Sequence, residues 1–155
     1  MITLRKCNYN DLDKIFKWIN DAEVRKNSFN SSYISYESHI RWFNEKINLN
    51  NIYIYIILND NKEIGTIRLE KKDSKAIISY LIDNKYRGHG YGNETIKLIK
   101  KEAIINNIDI LEASVKKDNM LSRKIFINNG FFEIEKNDKY LYLYFLKKEK
   151  EIVWS

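Results

Sequence analysis

The span Asp83 to Ile96, DNKYRGHGYGNETI, holds three of the chain's five glycines, Gly88, Gly90 and Gly92, behind Arg87 and around His89. Alternating glycines bare successive backbone N–H groups and let the chain take positive φ. Where such a loop opens a helix, the first-turn N–H groups lack intrahelical partners and carry partial positive charge, which makes a seat for phosphate. Arg87 would add a permanent charge, and several charge-assisted bonds of roughly 1.5–3 kcal/mol each would hold a pyrophosphate. Two phosphate-loop types are excluded. A Walker loop needs Gly-Lys-Ser/Thr, which this chain lacks. A dinucleotide fingerprint needs Gly or Ala where Asn93 or Thr95 stands, and its ribose-binding acid should end the next strand, whereas Glu112 lies near that strand's start.

The loop has to be carried by a strand before it and a helix after it, and both are legible. KAIISYLID reads as the strand, and Ile96, Ile99 and Ala103 mark one face of the helix, which ends near Asn106 and Asn107. Upstream, ITLRK is a short strand. Asn8 or Asn10 caps a helix carrying Leu12, Ile15, Phe16 and Ile19, and Asn20 to Tyr33 is polar and irregular. Ser35 caps a second helix with Glu37 in its first turn and Ile40, Phe43 and Ile47 on one face. NIYIYIIL and EIGTIRLE are strands around the hairpin turn NDNK. After the loop helix come the strand DILEASV, a helix from Asn119 to a left-handed cap at Asn129–Gly130, and the strands FFEIE and KYLYLYFL. The order is βααβββαβαββ, an α+β (mixed α/β) class with seven strands and four helices, expected to form one domain over residues 1–155.

Composition narrows the classes. With 155 residues and 44% apolar content the chain can bury a core without metal or disulfide staples. No run approaches the roughly 18 apolar residues of a membrane span, and MITLRKCNYNDL has no signal-peptide apolar core, so a cytoplasmic protein is expected. Cys7 is the lone cysteine and His39 and His89 lie far apart, which speaks against a disulfide and a structural zinc site. The net charge of +6 fits either an anionic partner or a general lysine-, isoleucine- and asparagine-rich composition, and the lysines form no single stripe.

Arg-Gly-x-Gly-x-Gly resembles the acetyl-CoA pyrophosphate loop of the GNAT superfamily of N-acetyltransferases. VKKDNMLSRKIFINNGF is similar to that superfamily's downstream motif, in which an asparagine, here Asn119, precedes a helix ending in Gly-Phe, here Gly130 and Phe131. The spacing of the two motifs and the element order agree, so the resemblance covers nearly the whole chain. It implies the GNAT fold, a central twisted, mostly antiparallel sheet of six to seven strands with four helices, and acetyl-CoA as co-substrate without a metal. WINDAEVRKNSFNSSYISYESHIRWFNEKI resembles the branch that acetylates amino groups on nucleotide-activated sugars, as in pseudaminic-acid-type pathways. Trp18, Asn20-Asp21, Val24-Arg25, His39 and Trp42-Phe43 carry that resemblance.

The resemblance implies roles. Free backbone groups near Leu81 and Ile82 would bond the pantetheine arm and stabilise the thioester oxyanion. Arg87, Gly88, His89, Gly90, Tyr91 and Gly92 would cradle the pyrophosphate, with His89 acting more through its backbone N–H than its imidazole. Asn119 would bond the pantetheine, and Lys124 either approaches the phosphates or is a solvated helix lysine. His39 either meets the acceptor or is a partly buried helix residue. Arg68 either pairs an anionic acceptor or is an exposed strand arginine. Trp42 stands as an acceptor platform or as core. The positions where relatives often carry a glutamate base and a tyrosine acid hold Ser114 and Phe126, and another position used for a glutamate offers Ala76, Ile77 and Ile78. Glu70 is then the expected base, directly or through water, and Tyr80 or a tyrosine of KYLYLYFL the next proton-transfer group. The acceptor expected is a small-molecule amine on a nucleotide-sugar, with no nucleic acid or membrane as partner and a homodimer through late strands as an option. A protein N-terminal or small-amine acetyltransferase, and an idle acyl-CoA or nucleic-acid-binding module, are the competing readings.

Overall fold

The computed structural model describes residues 1–146, so residues 147–155 of the expected domain lie outside the described part. The strands are β1 (Ile2–Lys6), β2 (Ile52–Asn59), β3 (Lys62–Lys72), β4 (Lys75–Ile82), β5 (Ile110–Lys116), β6 (Phe132–Lys136) and β7 (Lys139–Phe145). The helices are α1 (Leu12–Ile19), α2 (Ala22–Asn27), α3 (Tyr36–Lys46), α4 (Tyr91–Ile105) and α5 (Met120–Asn128). One sheet runs β1-β2-β3-β4-β5-β7-β6, antiparallel at every step except β4 to β5.

Strand β2 shows how the sheet is covered. Ile54, Tyr55, Ile56 and Ile57 are all buried in succession, which requires apolar cover on both faces. Ile56 packs with Ile15 and Trp18 of α1 and Phe43 of α3. Ile57 belongs to the larger core with Ile67, Leu69, Ile96, Ile99 and Phe126, beneath α4 and α5. The β2–β3 hairpin closes on Asp60 and Asn61 at φ 48° and 72°, the left-handed pair of a tight primed turn.

The expected element order holds with one addition. The Asn20–Tyr33 segment, taken as irregular, contains the short helix α2 capped by Asp21. It buries none of its own residues, so it carries no hydrophobic period. Asn8 takes the capping role among the two candidates, but for the 3₁₀ turn Tyr9–Asp11 that leads into α1. The covered face of α3 centres on His39 and Phe43, with Ile40 and Ile47 only partly covered.

What positions the site is the parting of β4 and β5. Their parallel register spans Lys75↔Ile110, Ala76↔Leu111 and Ile77↔Glu112 only. Beyond it β4 stays paired to β3 as far as Ile82, and β5 stays paired to β7 as far as Lys116. The facing edges therefore diverge, and residues 78–82 of β4 have no strand partner on that side.

Candidate active site

The divergence opens a cleft of about 940 Å³. The wall expected to take the donor is β4, the glycine loop and the first turns of α4 and α5, with Tyr80, Leu81, Ile82, Gly90 and Asn119 among the lining residues. Gly88 and Gly90 stand at φ 83° and 80° with open space where a Cβ would be, so conformation, not crowding, requires glycine there. Gly90 is the N-cap of α4 and has no side chain to satisfy the first-turn N–H groups, which remain available to an anion. Gly92 has a different reason: a Cβ there would lie 2.8 Å from Ile125 Cδ1, so it seats α4 against α5. Asn119 caps α5, accepting from Ser122 N at 3.3 Å, and lines the cleft.

Arg87, expected to face the phosphates, is committed within the protein. Its Nε donates to the Ile82 carbonyl at 3.0 Å, and its Nη2 donates to Asp21 Oδ2 at 2.9 Å. One backbone acceptor of the β4 end is thereby already used. Partial burial works against the Asp21 carboxylate, but Arg87 and the N–H groups of Val24 and Glu23 outweigh it and hold its pKa below the ordinary value.

Tyr80 lies inside the donor wall. Its hydroxyl is 2.9 Å from Ser122 Oγ, and its ring meets Phe126 edge-on at 6.0 Å. Burial pushes its pKa up to about 12, partly offset by the Ser122 bond, so the phenol stays protonated at neutral pH.

The wall expected to face the acceptor is made by α2, the loop after it, α3 and β3. Arg68 reaches into the cleft with its guanidinium 5.0 Å from the Trp42 ring centroid, while its Nε donates to Glu70 Oε2 at 3.1 Å. His39 also lines the cleft but is only 1% exposed. Its Nε2 donates to the Leu12 carbonyl at 2.9 Å, and Trp42 stacks on it at 6.2 Å. Burial lowers its pKa against the pull of that carbonyl and of Asp13, so the ring is neutral with its Nδ1 lone pair free to accept. The buried-helix alternative therefore describes most of this residue.

Three expected site residues stand apart from the cleft lining. Glu70 is turned to Arg68 and to Lys46 Nζ at 3.7 Å, so it would act at the cleft only through water. His89 is exposed with its ring 5.5 Å from Tyr91, in line with a backbone role. Lys124 is exposed on the outer face of α5 beside Leu121 and Ile127.

Four residues had no role assigned from the sequence, although Asp21 and Arg25 belong to the stretch that carries the aminosugar resemblance. Arg25 donates to the carbonyls of Ile19, Asn30 and Ser32 at 2.6, 2.8 and 3.3 Å and so fixes the loop bearing Phe29. Asp21 carried a readable signal, a capping residue two before Glu23. Glu23 is a carboxylate that lines the cleft. Gly65 is a lone glycine inside β3, and a Cβ there would stand 2.2 Å from the Leu81 carbonyl oxygen, so it permits the close approach of β3 to the end of β4.

A seven-stranded sheet parted at its one parallel step, with a glycine loop and a helix start at the parting, is the arrangement the GNAT resemblance leads one to expect. Residues 1–132 match the acetyltransferase (GNAT) domain family, and the chain belongs to that family, whose members use acetyl-CoA. The chain is 28% identical over 145 residues to acetyltransferase PseH of Campylobacter jejuni, spanning 91% of this chain and 88% of that protein. It is similar in fold to the spermidine N-acetyltransferase of Vibrio cholerae solved with CoA and spermine, at a TM-score of 0.80 and 19% identity over 92% of each chain. The ribosomal-protein-alanine N-acetyltransferase of Brucella melitensis superposes at a TM-score of 0.76 and 16% identity over 92% of this chain and 99% of that one. Among the described residues no helix is long and apolar enough to cross a membrane.

Proposed function

We propose that this acetyltransferase transfers acetyl from acetyl-CoA to a primary amine on a nucleotide-linked aminosugar, by direct attack of the amine in a ternary complex. The observation that carries this reading is Arg68, a cation over the Trp42 ring that lines the same cleft as the glycine loop. It suits an anionic, ring-bearing acceptor better than a polycationic amine. Similarity to the Campylobacter acetyltransferase over 91% of the chain includes this acceptor half, not only the donor motifs.

The donor wall fits acetyl-CoA. The backbone of Arg87 to Gly92 takes the pyrophosphate, and Leu81, Ile82 and Asn119 take the pantetheine. Bound there, acetyl-CoA supplies a thioester carbonyl open to attack. A backbone N–H on the unpartnered edge of β4 stabilises the oxyanion, a contribution that is often the largest single one. Tyr80, held by Ser122, delivers a proton to the departing sulfur. An alkylammonium pKa near 10.4 makes deprotonation at pH 7 cost roughly 5 kcal/mol, and each unit lower on an electron-poor sugar amine removes about 1.4 kcal/mol. Glu70, working through water beside Arg68, is then a sufficient base. Its test is the pH profile of kcat/KM in Glu70→Gln beside Glu23→Gln. A limb that moves only in Glu23→Gln assigns the base to α2 instead.

The acceptor class is tested by thiol release with three acceptors at matched concentration: a UDP-linked aminosugar, an N-terminal peptide and spermidine. Turnover of the sugar nucleotide is expected. Turnover of the peptide or spermidine with none of the sugar nucleotide would sink the proposal.

A further inference from the structure

Helix α2 and the loop after it cross the open end of the β4–β5 gap, and polar ties hold them there. At the β4 end, Asp21 Oδ2 takes Arg87 Nη2 at 2.9 Å, and just before α2 the last turn of α1 is fixed where Trp18 Nε1 donates to Asp83 Oδ2 at 2.9 Å. At the β5 end, Lys116 Nζ donates to the Lys26 carbonyl at 2.9 Å, and Lys139 Nζ stands 5.7 Å from the Phe29 ring centroid. Inside the span, Arg25 gathers the Ile19, Asn30 and Ser32 carbonyls. The helix buries no residue of its own, so these ties, not core packing, set its position. Segments with few buried contacts open at low free energy, and their order depends on such links.

The tie at the β4 end begins at the donor loop. Arg87 directly precedes Gly88, and its guanidinium joins the Ile82 carbonyl to Asp21, 66 residues away in sequence. Asp21 Oδ2 also caps α2, accepting from Glu23 N at 3.1 Å and Val24 N at 3.2 Å. Anything that immobilises the backbone of the loop immobilises Arg87, and through Asp21 the start of α2. We infer that Asp21 and Arg87 are positioning residues that carry occupancy of the donor loop to the acceptor wall, so that the acceptor binds more tightly once the donor is seated. Binding free energies are reciprocal, so the acceptor must tighten the donor by the same factor, and couplings of this kind typically fall between about 5- and 150-fold. This inference rests on the reading of Gly88–Gly92 as the donor site.

Asp21→Asn separates the strut from the cap, because asparagine caps helices as well as aspartate but brings no charge to Arg87. The experiment is amide hydrogen exchange with and without saturating CoA, with CoA affinity measured by calorimetry. In the wild type, CoA slows exchange at residues 88–95 and, by about fivefold or more, at residues 22–30. In Asp21→Asn the first effect persists and the second is lost, while the Kd for CoA alone changes less than about twofold. Asp21→Ser, which also caps helices and brings no charge to Arg87, behaves likewise and serves if the first variant folds poorly. Undiminished protection of residues 22–30 in both variants overturns the inference. So does a markedly tighter CoA complex in Asp21→Asn, because Arg87 would then be a phosphate ligand that Asp21 withholds. CoA that leaves residues 88–95 unprotected in the wild type refutes the donor-site reading itself.

Discussion

The two walls of the cleft are made of different material. The donor wall is backbone: an unpartnered strand edge, a glycine loop at positive φ and the start of a helix. The acceptor wall is side chains, drawn from α2, α3 and β3 and locked by Arg25, Arg68 and Arg87. A backbone site reads only the invariant part of a ligand and depends on a few conformational requirements. A side-chain site can be rewritten residue by residue while the frame is kept. Fold neighbours bearing the names of spermidine and ribosomal-protein acetyltransferases superpose on this chain at under 20% identity, which is what a shared backbone frame permits.

The sharpest way to break this contrast is at Tyr80, the one side chain asked to do chemistry on the donor wall. Tyr80→Phe should lower kcat about 100-fold while leaving the acetyl-CoA KM nearly unchanged, since general-acid groups contribute roughly 10²–10⁴. Because burial holds the Tyr80 pKa up to about 12, the wild type should show no alkaline loss from this group between pH 7 and 10. A pH–rate limb in that range that vanishes in Tyr80→Phe would contradict the raised pKa, and a kcat unchanged in Tyr80→Phe would contradict the assignment of Tyr80 as the acid.

Next comes the strand frame. A Cβ at Gly65 would meet the Leu81 carbonyl oxygen at 2.2 Å, so Gly65→Ala must push β4 away from β3. Overpacking of this kind costs about 1–3 kcal/mol. Calorimetry should show a Tm lowered by several degrees, and kcat should fall with it. A Tm equal to wild type would mean the strands yield freely at this point. Gly90→Val follows, with a β-branched residue forced into the left-handed region at a cost of about 1–2 kcal/mol. The acetyl-CoA KM should rise about tenfold, with a smaller change in the acceptor KM. Equal changes in both would erase the separation of the walls.

The smallest effect is expected at His39. Burial holds its folded pKa below the unfolded value, so the unfolded chain takes up the proton first as pH falls. Stability is therefore unaffected well above about pH 6.5 and declines as pH drops through that value. His39→Gln, which can donate to the Leu12 carbonyl without titrating, should show a shallower decline in Tm between pH 7.5 and 5.5. An identical decline would place the titrating group elsewhere.

The same contrast explains what the sequence disclosed. Glycine alternation behind a strand is a local signal, and so are the helix of Ile96, Ile99 and Ala103 and the Asp60–Asn61 turn; all three are where the chain's pattern put them. Helix α2 escaped because six residues with only Ala22 and Val24 apolar, and nothing buried, have no period to detect. The Asp21–Arg87 pair joins residues 66 apart, and nothing in either residue's neighbourhood names its partner. Arg87 misled for a related reason: a cation beside a phosphate-type loop suggests a ligand, while its carboxylate and carbonyl partners become visible only once the fold brings them together. Gly65 did carry a signal, a glycine interrupting a strand, whose meaning depends on how closely the neighbouring strand approaches.

The central claim, that the acceptor wall recognises a nucleotide-linked sugar amine, is tested most directly by one ratio. It is kcat/KM for a UDP-linked aminosugar over kcat/KM for the same aminosugar without the nucleotide, at saturating acetyl-CoA, in the wild type and in Arg68→Ala. The account predicts a wild-type ratio of about 100 or more that shrinks about tenfold in Arg68→Ala, as expected for loss of a charge-assisted contact. A wild-type ratio near one, or a large ratio untouched by Arg68→Ala, would contradict it.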